Sequence, residues 1–264
     1  MNPDLISKPE ARYPVERIHL LWQRAVEVTG EEAFGILVMK EIRLIALQGL
    51  GFSWLSSDTL KDAIQRLIRY IRFVSTAAQL DFYEKGNEYH LVFDFVPTYK
   101  KPPVPAAVDA AVALIVQMCR ISAAPDFVPL GVDLCRKAPK NASAFKQFFK
   151  TTINFSAKRN ALVFTREQME KPLEFSNPEL ARVNDETVIR YLDSFDQENI
   201  SLKVRAKIID LMPMGIPKQK DVARSLHLSL RSMQRLLKKE NTGYQVIVDD
   251  IRINLSHQYL KSLQ

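Results

Sequence analysis

Residues 219–240 constrain the fold of this 264-residue chain more than any other segment. Apolar residues recur there at helical spacing in two short blocks, separated by a turn at Leu228. Ala223 is small where two helices must cross closely, and Ser229 has the side chain of a helix N-cap. The segment therefore predicts two short helices that are joined by a tight turn and packed through one apolar seam.

The second predicted helix directs Arg231, Gln234, Arg235 and Lys238 away from that seam. This layout is that of a helix-turn-helix, in which the second helix enters the major groove of DNA. Residues 200–264 hold 12 Lys and Arg against 5 Asp and Glu, whereas the first 199 residues hold 25 of each. The excess positive charge therefore surrounds this segment, where it favours phosphate contacts. A solvated basic helix face is the alternative interpretation.

Size and composition allow one large domain or two ordinary ones, with a hydrophobic content of 47% that supports a real core. The polar, proline-containing N-terminus does not resemble a signal peptide. The longest apolar run, residues 104–119, is interrupted by Asp109 and Gln117 and is interpreted as too short for a membrane span. Cys119 and Cys135 are predicted to be buried, reduced thiols. These features favour a cytoplasmic protein.

The region before the basic segment predicts an α+β domain. The first third is helical in pattern, and from Gln79 onward apolar and polar residues alternate on both sides of Gly86 and Asn87, which is a hairpin signal. The predicted helices are 14–28, 31–50, 59–78, 105–121 and 143–150. The predicted strands are 80–84, 88–96, 127–135 and 161–164. This order favours a mostly antiparallel sheet.

An amphipathic helix over residues 178–195 joins the two halves of the chain. Its apolar face has two open interpretations, packing on the sheet or pairing with a second subunit; the face comprises Leu180, Val183, Val188, Tyr191, Leu192 and Phe195. A following helix over 201–212 would brace the helix-turn-helix, and a long helix is predicted over 246–263. The chain is thus expected to have an α+β N-terminal domain followed by an all-α helix-turn-helix region.

Motifs for catalysis or metal binding do not stand out in the sequence. The four histidines are scattered without metal-ligand spacing, and neither GxSxG, a P-loop nor GxGxxG occurs. We therefore expect no enzyme activity, no catalytic residue, no cofactor and no metal.

The C-terminal third resembles a known family of regulators. The run DVARSLHLSLRSMQRLLKKENTGYQVIVDDIR at 221–252 resembles the first helix-turn-helix of AraC/XylS-type transcription regulators, and the Gln-Arg pair at 234–235 is its most specific element. Residues 244–259 resemble the helix that links the two helix-turn-helix units of that family. Residues 155–182 and 55–75 resemble the branch with an arabinose-binding-type N-terminal regulatory domain.

The resemblance implies a ligand-sensing and dimerisation domain over 1–195 and the first half of an AraC-type DNA-binding domain over 196–264. Within the latter, the helix-turn-helix spans about 219–240 and the linker helix about 246–263. The implied base-reading residues are Arg231, Gln234 and Arg235, since Arg pairs well with guanine and Gln with adenine. The implied phosphate contacts are Arg224, Ser229, Lys238 and Lys239. The expected partners are double-stranded promoter DNA, a small-molecule effector, a second copy in a homodimer and RNA polymerase.

Three departures from the family pattern bear on this interpretation. His227 stands where the turn usually has Gly, at a position that often needs positive φ. Asn241 stands where this branch often has Gly after the recognition helix. The chain ends at Gln264, whereas a second helix-turn-helix would need roughly fifty more residues by the family pattern. One alternative is therefore a truncated, dimerising interaction protein that modulates a full-length relative.

The effector site is the least specified feature. Arg66, Arg69 and Arg72 recur every three residues on the predicted helix 59–78 and could meet a carboxylate or phosphate, although a solvated basic face is the favoured interpretation. Aromatic residues of the hairpin are interpreted as core; they are Phe82, Tyr83, Tyr89, Phe93 and Phe95. A metabolite-binding protein without DNA readout is the other alternative function.

Overall fold

The computed structural model describes residues 13, 15–96, 103–212, 215–240 and 242–262. The chain divides into two compact units. The first comprises residues 1–96 and 101–188, and the second comprises residues 97–100 and 189–264. Asn241 lies outside the described residues.

Helices flank a single sheet in the first unit. The helices are α1 (Val15–Thr29), α2 (Phe34–Lys40), α3 (Gln48–Leu55), α4 (Leu60–Arg69), α5 (Ile71–Val74), α6 (Pro105–Ser122), α7 (Ser143–Phe149) and α8 (Arg166–Glu170), and α9 (Pro178–Glu198) begins in this unit. A 3-10 helix over Leu44–Leu47 precedes α3. The strands are β1 (Ala78–Lys85), β2 (Glu88–Phe95), β3 (Gly131–Leu134), β4 (Ile153–Phe155) and β5 (Asn160–Thr165).

The five strands form one sheet in the order β1-β2-β5-β3-β4. All neighbouring pairs are antiparallel except β3 and β4. Lys85 pairs with Glu88, so Gly86 and Asn87 form a two-residue hairpin loop, and Gly86 has a φ of 63°. Gly adopts this left-handed conformation without a Cβ clash. The sheet and its helices confirm the predicted α+β class of the N-terminal domain.

Helix α6 passes through the centre of the first unit. By length and composition it is the one helix among the described residues that could span a membrane, which corrects the interpretation of this apolar run as too short. However, 61% of that stretch is buried inside the protein. Helix α2 crosses α6 at Gly35, where an added Cβ would lie 2.1 Å from the carbonyl oxygen of Ala106. Such close backbone approach requires glycine.

The predicted helix over 31–50 is wrong as one element. Helix α2 ends at Lys40, and the chain turns through the 3-10 helix before α3. Gly51 permits this fold-back, since a Cβ there would lie 2.1 Å from the carbonyl oxygen of Leu44.

Two further elements are shorter than predicted. The helix predicted over 59–78 ends at Arg69 and is followed by the short α5. The Ser75 hydroxyl accepts the backbone N–H of Ala77 at 3.2 Å, a local bond that competes with helical pairing. The strand predicted over 127–135 starts only at Gly131, after Pro129, which cannot donate a ladder hydrogen bond.

Burial also differs from two sequence interpretations. Helix α9 buries Ala181, Asp185 and Val188, whereas Leu180 and Val183 of the predicted apolar face are exposed. Asp185 is drawn inward because it accepts hydrogen bonds from Ser53 of α3 and Arg66 of α4.

Cys119 is buried and Cys135 is exposed, so the prediction of two buried thiols is wrong for Cys135. Successive strand residues face opposite sides, and Cys135 follows the buried Leu134.

The second unit is a bundle of helices. They are α10 (Ile200–Leu211), α11 (Gln219–Ser225), α12 (Leu230–Lys239) and α13 (Tyr244–Ser262). One apolar core joins all four helices and comprises Ile200, Val204, Ile208, Val222, Ala223, Met233, Leu237, Ile247, Val248 and Ile251. These bounds confirm the all-α region that the sequence predicts after the sensor-like domain. Leu255 and Tyr259 of the predicted stripe on α13 have side chains outside the described set.

Candidate nucleic-acid interface

Helices α11 and α12 form a helix-turn-helix. Val222 and Ala223 of α11 and Met233 of α12 are almost wholly buried, as the apolar seam predicted from the sequence requires. The second fully buried residue of α12 is Leu237, whereas Leu236, which the sequence placed in the seam, is only partly buried. The hydroxyl of Ser229 accepts the backbone N–H of Ser232 at 3.1 Å and so caps α12, as expected.

The turn between the two helices contains a left-handed residue. His227 has a φ of 56°, as its place in the sequence suggested, although it is not glycine. The next residue, Leu228, donates its backbone N–H to the carbonyl of Ala223 at 2.9 Å, which closes the end of α11. The turn therefore holds a conformation that costs a residue with a Cβ about 1–2 kcal/mol.

One face of α12 is solvent-exposed and polar. Arg231, Gln234 and Arg235 are all exposed on this helix. The Gln234 side-chain amide donates to the Oε1 atom of Gln219 at 3.2 Å, so it already has a partner on α11. Neither arginine forms an ion pair with any residue in the described part of the chain. Both guanidinium groups therefore have free donors, which is the requirement for bidentate contact with a guanine edge.

The four residues predicted to contact phosphates are also exposed. They are Arg224, Ser229, Lys238 and Lys239. The hydroxyl oxygen of Ser229 is occupied by the cap, and its O–H donates to the Ser232 hydroxyl at 2.9 Å. Two exposed lysines at the start of α11, Lys218 and Lys220, were missed by the sequence interpretation. The sequence could have indicated them, since they flank the first residue of the predicted first helix.

Polar contacts fix the helix-turn-helix to its neighbours. The Glu240 carboxylate, at the end of α12, accepts the backbone N–H groups of Ile200 and Ser201 at 2.7 and 3.0 Å. Asp250 of α13 is buried and pairs with Arg205 of α10. The first contact ties the end of α12 to the start of α10, and the second ties α10 to α13.

A further hydrogen bond tethers α13 to the segment before α11. The hydroxyl of Tyr244 donates to the carbonyl oxygen of Pro217 at 2.6 Å. Burial raises the pKa of Tyr244, and the nearby Asp221 raises it further. The phenol therefore stays protonated at neutral pH and remains a hydrogen-bond donor.

The row of arginines predicted as an effector contact does not lie on one helix. Arg66 is on α4, where its guanidinium pairs with Asp185. Arg69 is the last residue of α4 and lies over the ring of Tyr70, with 5.9 Å to the ring centroid. Arg72 lies on the separate helix α5. The structure therefore does not bring the three side chains together as one anion-binding row.

One arginine of the first unit forms ion pairs with two carboxylates. Arg136 contacts Asp109 of α6 at 2.5 Å and Glu32 at 3.2 Å. Burial raises the pKa of Asp109 to about 6, although the charge and hydrogen bond of Arg136 oppose this shift. Within the described residues, no group of three or more His, Cys, Asp and Glu side chains could hold a metal ion.

Comparison with known proteins identifies the class. The family described as the arabinose-binding domain of AraC transcription regulators, N-terminal, matches residues 1–173. The match covers more than half of the chain and ends within the first unit. The chain therefore belongs to the AraC-type transcription regulators with this N-terminal ligand-binding domain, as the sequence resemblance predicted.

Two proteins from Pseudomonas aeruginosa are similar to this chain. The ornithine utilization regulator is 27% identical over 268 residues, which span 100% of this chain and 78% of the relative. The crystal structure of the transcriptional regulator CdpR is similar with a TM-score of 0.51 and 17% identity. That likeness covers 95% of this chain and 87% of the other. At this identity it supports the fold alone.

Proposed function

We propose that this regulator binds duplex promoter DNA through α12 and responds to a small-molecule effector through its first unit. The observation that carries the proposal is the exposed face of Arg231, Gln234 and Arg235 on a helix whose opposite face forms the core. The surrounding positive charge favours DNA by releasing counterions from phosphates. In this proposal, residues 1–195 sense and dimerise, and residues 196–264 contact DNA.

The side chains have two distinct tasks in this proposal. Arg231, Gln234 and Arg235 read base edges, and each good bidentate contact contributes about 1–3 kcal/mol of discrimination. A second set contacts phosphates and contributes affinity without sequence preference; it comprises Arg224, Ser229, Lys238 and Lys239, together with Lys218 and Lys220. At Ser229 the contact would come from the backbone N–H groups at the start of α12, because the Ser229 hydroxyl already donates to Ser232.

The test uses two kinds of duplex, one selected from a random library by this chain and one of scrambled sequence. Fluorescence anisotropy across a salt series measures binding to both. Arg235→Ala should weaken binding to the selected duplex by about 10- to 100-fold more than to the scrambled one. Arg252→Ala removes the same charge from an exposed position on α13 and serves as the matched control. Equal losses on both duplexes would remove Arg235 from base reading.

The phosphate contacts have a different signature. Lys238→Ala should weaken binding to both duplexes alike and reduce the slope of log affinity against log salt by about one. A chain that binds neither duplex at low salt would refute DNA binding and favour a metabolite-binding protein without DNA readout.

The remaining parts of the proposal concern assembly and cellular context. We expect a cytoplasmic homodimer that contacts RNA polymerase at its promoter. Exposed apolar side chains on α1 and α9 provide surface for pairing, among them Leu20, Leu21 and Val183. Sedimentation equilibrium tests the dimer, and a monomer at micromolar concentration would refute it. In vitro transcription with purified polymerase tests the proposed contact with RNA polymerase.

A further inference from the structure

An open groove on the first unit lies beside the C-terminal end of α6. It consists of two adjacent lobes of about 480 and 520 Å³, and Ile121 and Phe175 line both lobes. The first lobe is walled by Phe52, Leu55 and Leu180. Each lobe falls in the size range of sites that bind small molecules.

The loop that carries Phe175 is fixed to the rest of the unit. Pro172 bridges to Thr59, and Leu173 donates its backbone N–H to the carbonyl of Asp58 at 2.9 Å. Asn177 donates its backbone N–H to the carbonyl of Ser56 at 3.0 Å. Backbone bonds on both sides therefore hold Phe175 in place over the groove.

The apolar walls of the groove are unusually open to solvent. Phe175 is 65% exposed, Phe52 is 44% exposed and Ile121 is 39% exposed. Three large apolar side chains in one concave surface expose area that an apolar molecule would cover favourably, at about 25 cal/mol per Å².

The second lobe contains a cation without an acidic partner. Arg120, near the end of α6, donates from Nε to the carbonyl of Phe127 at 3.1 Å and from Nη2 to the carbonyl of Phe148 at 2.5 Å. Its guanidinium lies 4.7 Å from the centroid of the Phe148 ring. Among the residues that the structure describes, Arg120 forms no ion pair. Since a guanidinium has five N–H donors, three remain for a ligand.

The surroundings of Arg120 favour an anion at this position. The guanidinium is partly buried, and burial lowers its pKa from the usual value because the charged form loses solvation. An oxyanion would replace that lost solvation with charge-assisted hydrogen bonds. Glu174, which is exposed on the wall of the same lobe, would repel a second negative charge.

We propose that this groove is the effector site, and that it takes a monocarboxylate with an apolar body. The carboxylate binds Arg120, and the apolar body lies along Ile121 and Phe175 toward Phe52. The inference rests on the proposed effector response, because it assigns that response to one surface and one class of ligand.

The probe is 4-phenylbutanoate, with 4-phenylbutanamide as its uncharged match. Isothermal titration calorimetry on the whole chain should show the carboxylate binding at least about 10-fold more tightly than the amide, since hydrogen bonds to charged groups are the stronger ones. Arg120→Gln should remove that preference and leave binding of the amide unchanged. Glu174→Gln should strengthen binding of the carboxylate by about 2-fold, because a like charge is removed from the same lobe.

A second variant covers the case in which Arg120→Gln fails to fold, because Arg120 also holds two backbone carbonyls. Phe175→Ser changes an exposed side chain and should weaken both probes by about 10-fold. Ile45→Ser alters a 66% exposed apolar side chain on the 3-10 helix, outside the groove, and should leave both unchanged. Equal affinity for the two probes, or unaltered binding in Phe175→Ser, would overturn the assignment.

The titration contains no DNA, so a failure of the effector-site proposal can be distinguished from a failure of the proposed DNA binding. Sequence-specific DNA binding without any binding of 4-phenylbutanoate would refute this site and leave the DNA-binding proposal intact. Binding of the carboxylate with the expected variant effects, by a chain that binds no DNA, would support the site and refute the regulator mechanism.

Discussion

The contact between Glu240 and the start of α10 offers a sharp test of how the helix-turn-helix is braced. Asn199 precedes α10, but its side chain does not cap the helix. The Glu240 carboxylate instead accepts the first two amides, those of Ile200 and Ser201. Glu240→Ala removes this cap while leaving the apolar core of the bundle unchanged.

The expected loss of stability in Glu240→Ala follows from its two hydrogen bonds to α10 and from its negative charge. Loss of a helix cap costs about 1 kcal/mol, within a range of about 0.5–2. Loss of a negative charge at a helix N-terminus costs about 0.3–1 kcal/mol more. We therefore expect Glu240→Ala to destabilise α10 by about 2 kcal/mol. Glu240→Gln keeps one acceptor oxygen and should cost about half as much.

Amide hydrogen exchange measured by mass spectrometry resolves this effect within the whole chain. A loss of 2 kcal/mol corresponds to roughly 30-fold faster exchange in peptides from α10. Lys239→Ala changes the neighbouring, exposed residue and should alter stability by no more than about 0.5 kcal/mol. Unchanged exchange of α10 in Glu240→Ala would refute the cap, as would equal effects of both variants.

Three further predictions concern other contacts. Asp250→Ala should destabilise the second unit by about 1–3 kcal/mol in urea unfolding, because it removes a charged hydrogen-bond partner of the partly buried Arg205. His227→Gly should stabilise that unit by about 1 kcal/mol by relieving the left-handed strain, and unchanged urea unfolding would contradict this. Burial raises the pKa of Asp109 from 3.8 to about 6, so the protonated form favours folding. That stabilisation is fully present below pH 4 and is lost as pH rises through 6, by about 3 kcal/mol. In Asp109→Asn, thermal unfolding measured across this pH window should no longer show this loss of stability.

Local patterns predicted the helix-turn-helix well because α11 and α12 are short and carry their buried apolar residues at helical spacing. The cap at Ser229, the turn at His227 and the seam through Met233 all depend on residues within one or two helical turns. By contrast, the Glu240 cap joins residues 40 positions apart, and no local period indicates it.

The first unit was predicted less accurately for a related reason. The buried face of α9 is set by Asp185, which pairs with Arg66 at a separation of 119 residues. The break before α3 depends on the packing of Gly51 against Leu44, a contact that helical periodicity cannot show. The sequence did not indicate Arg120 as the ligand contact proposed above, because a single arginine in an apolar helix has no motif around it. The proposal depends on the observation that Arg120 forms no ion pair among the residues that the structure describes, and this cannot be read from the sequence.

The hydrogen bond between Gln219 and Gln234 has a consequence for recognition. Since Gln234 already has a partner in the free protein, pairing with an adenine would exchange one hydrogen bond for others. The net gain in affinity from a correct base is then small. A base that offers no matching edge would leave Gln234 with Gln219 and forgo the exchange. Gln234 would thus discriminate only weakly between sequences, because its preference for adenine equals that small net gain, and Arg231 and Arg235 would carry most of the base preference.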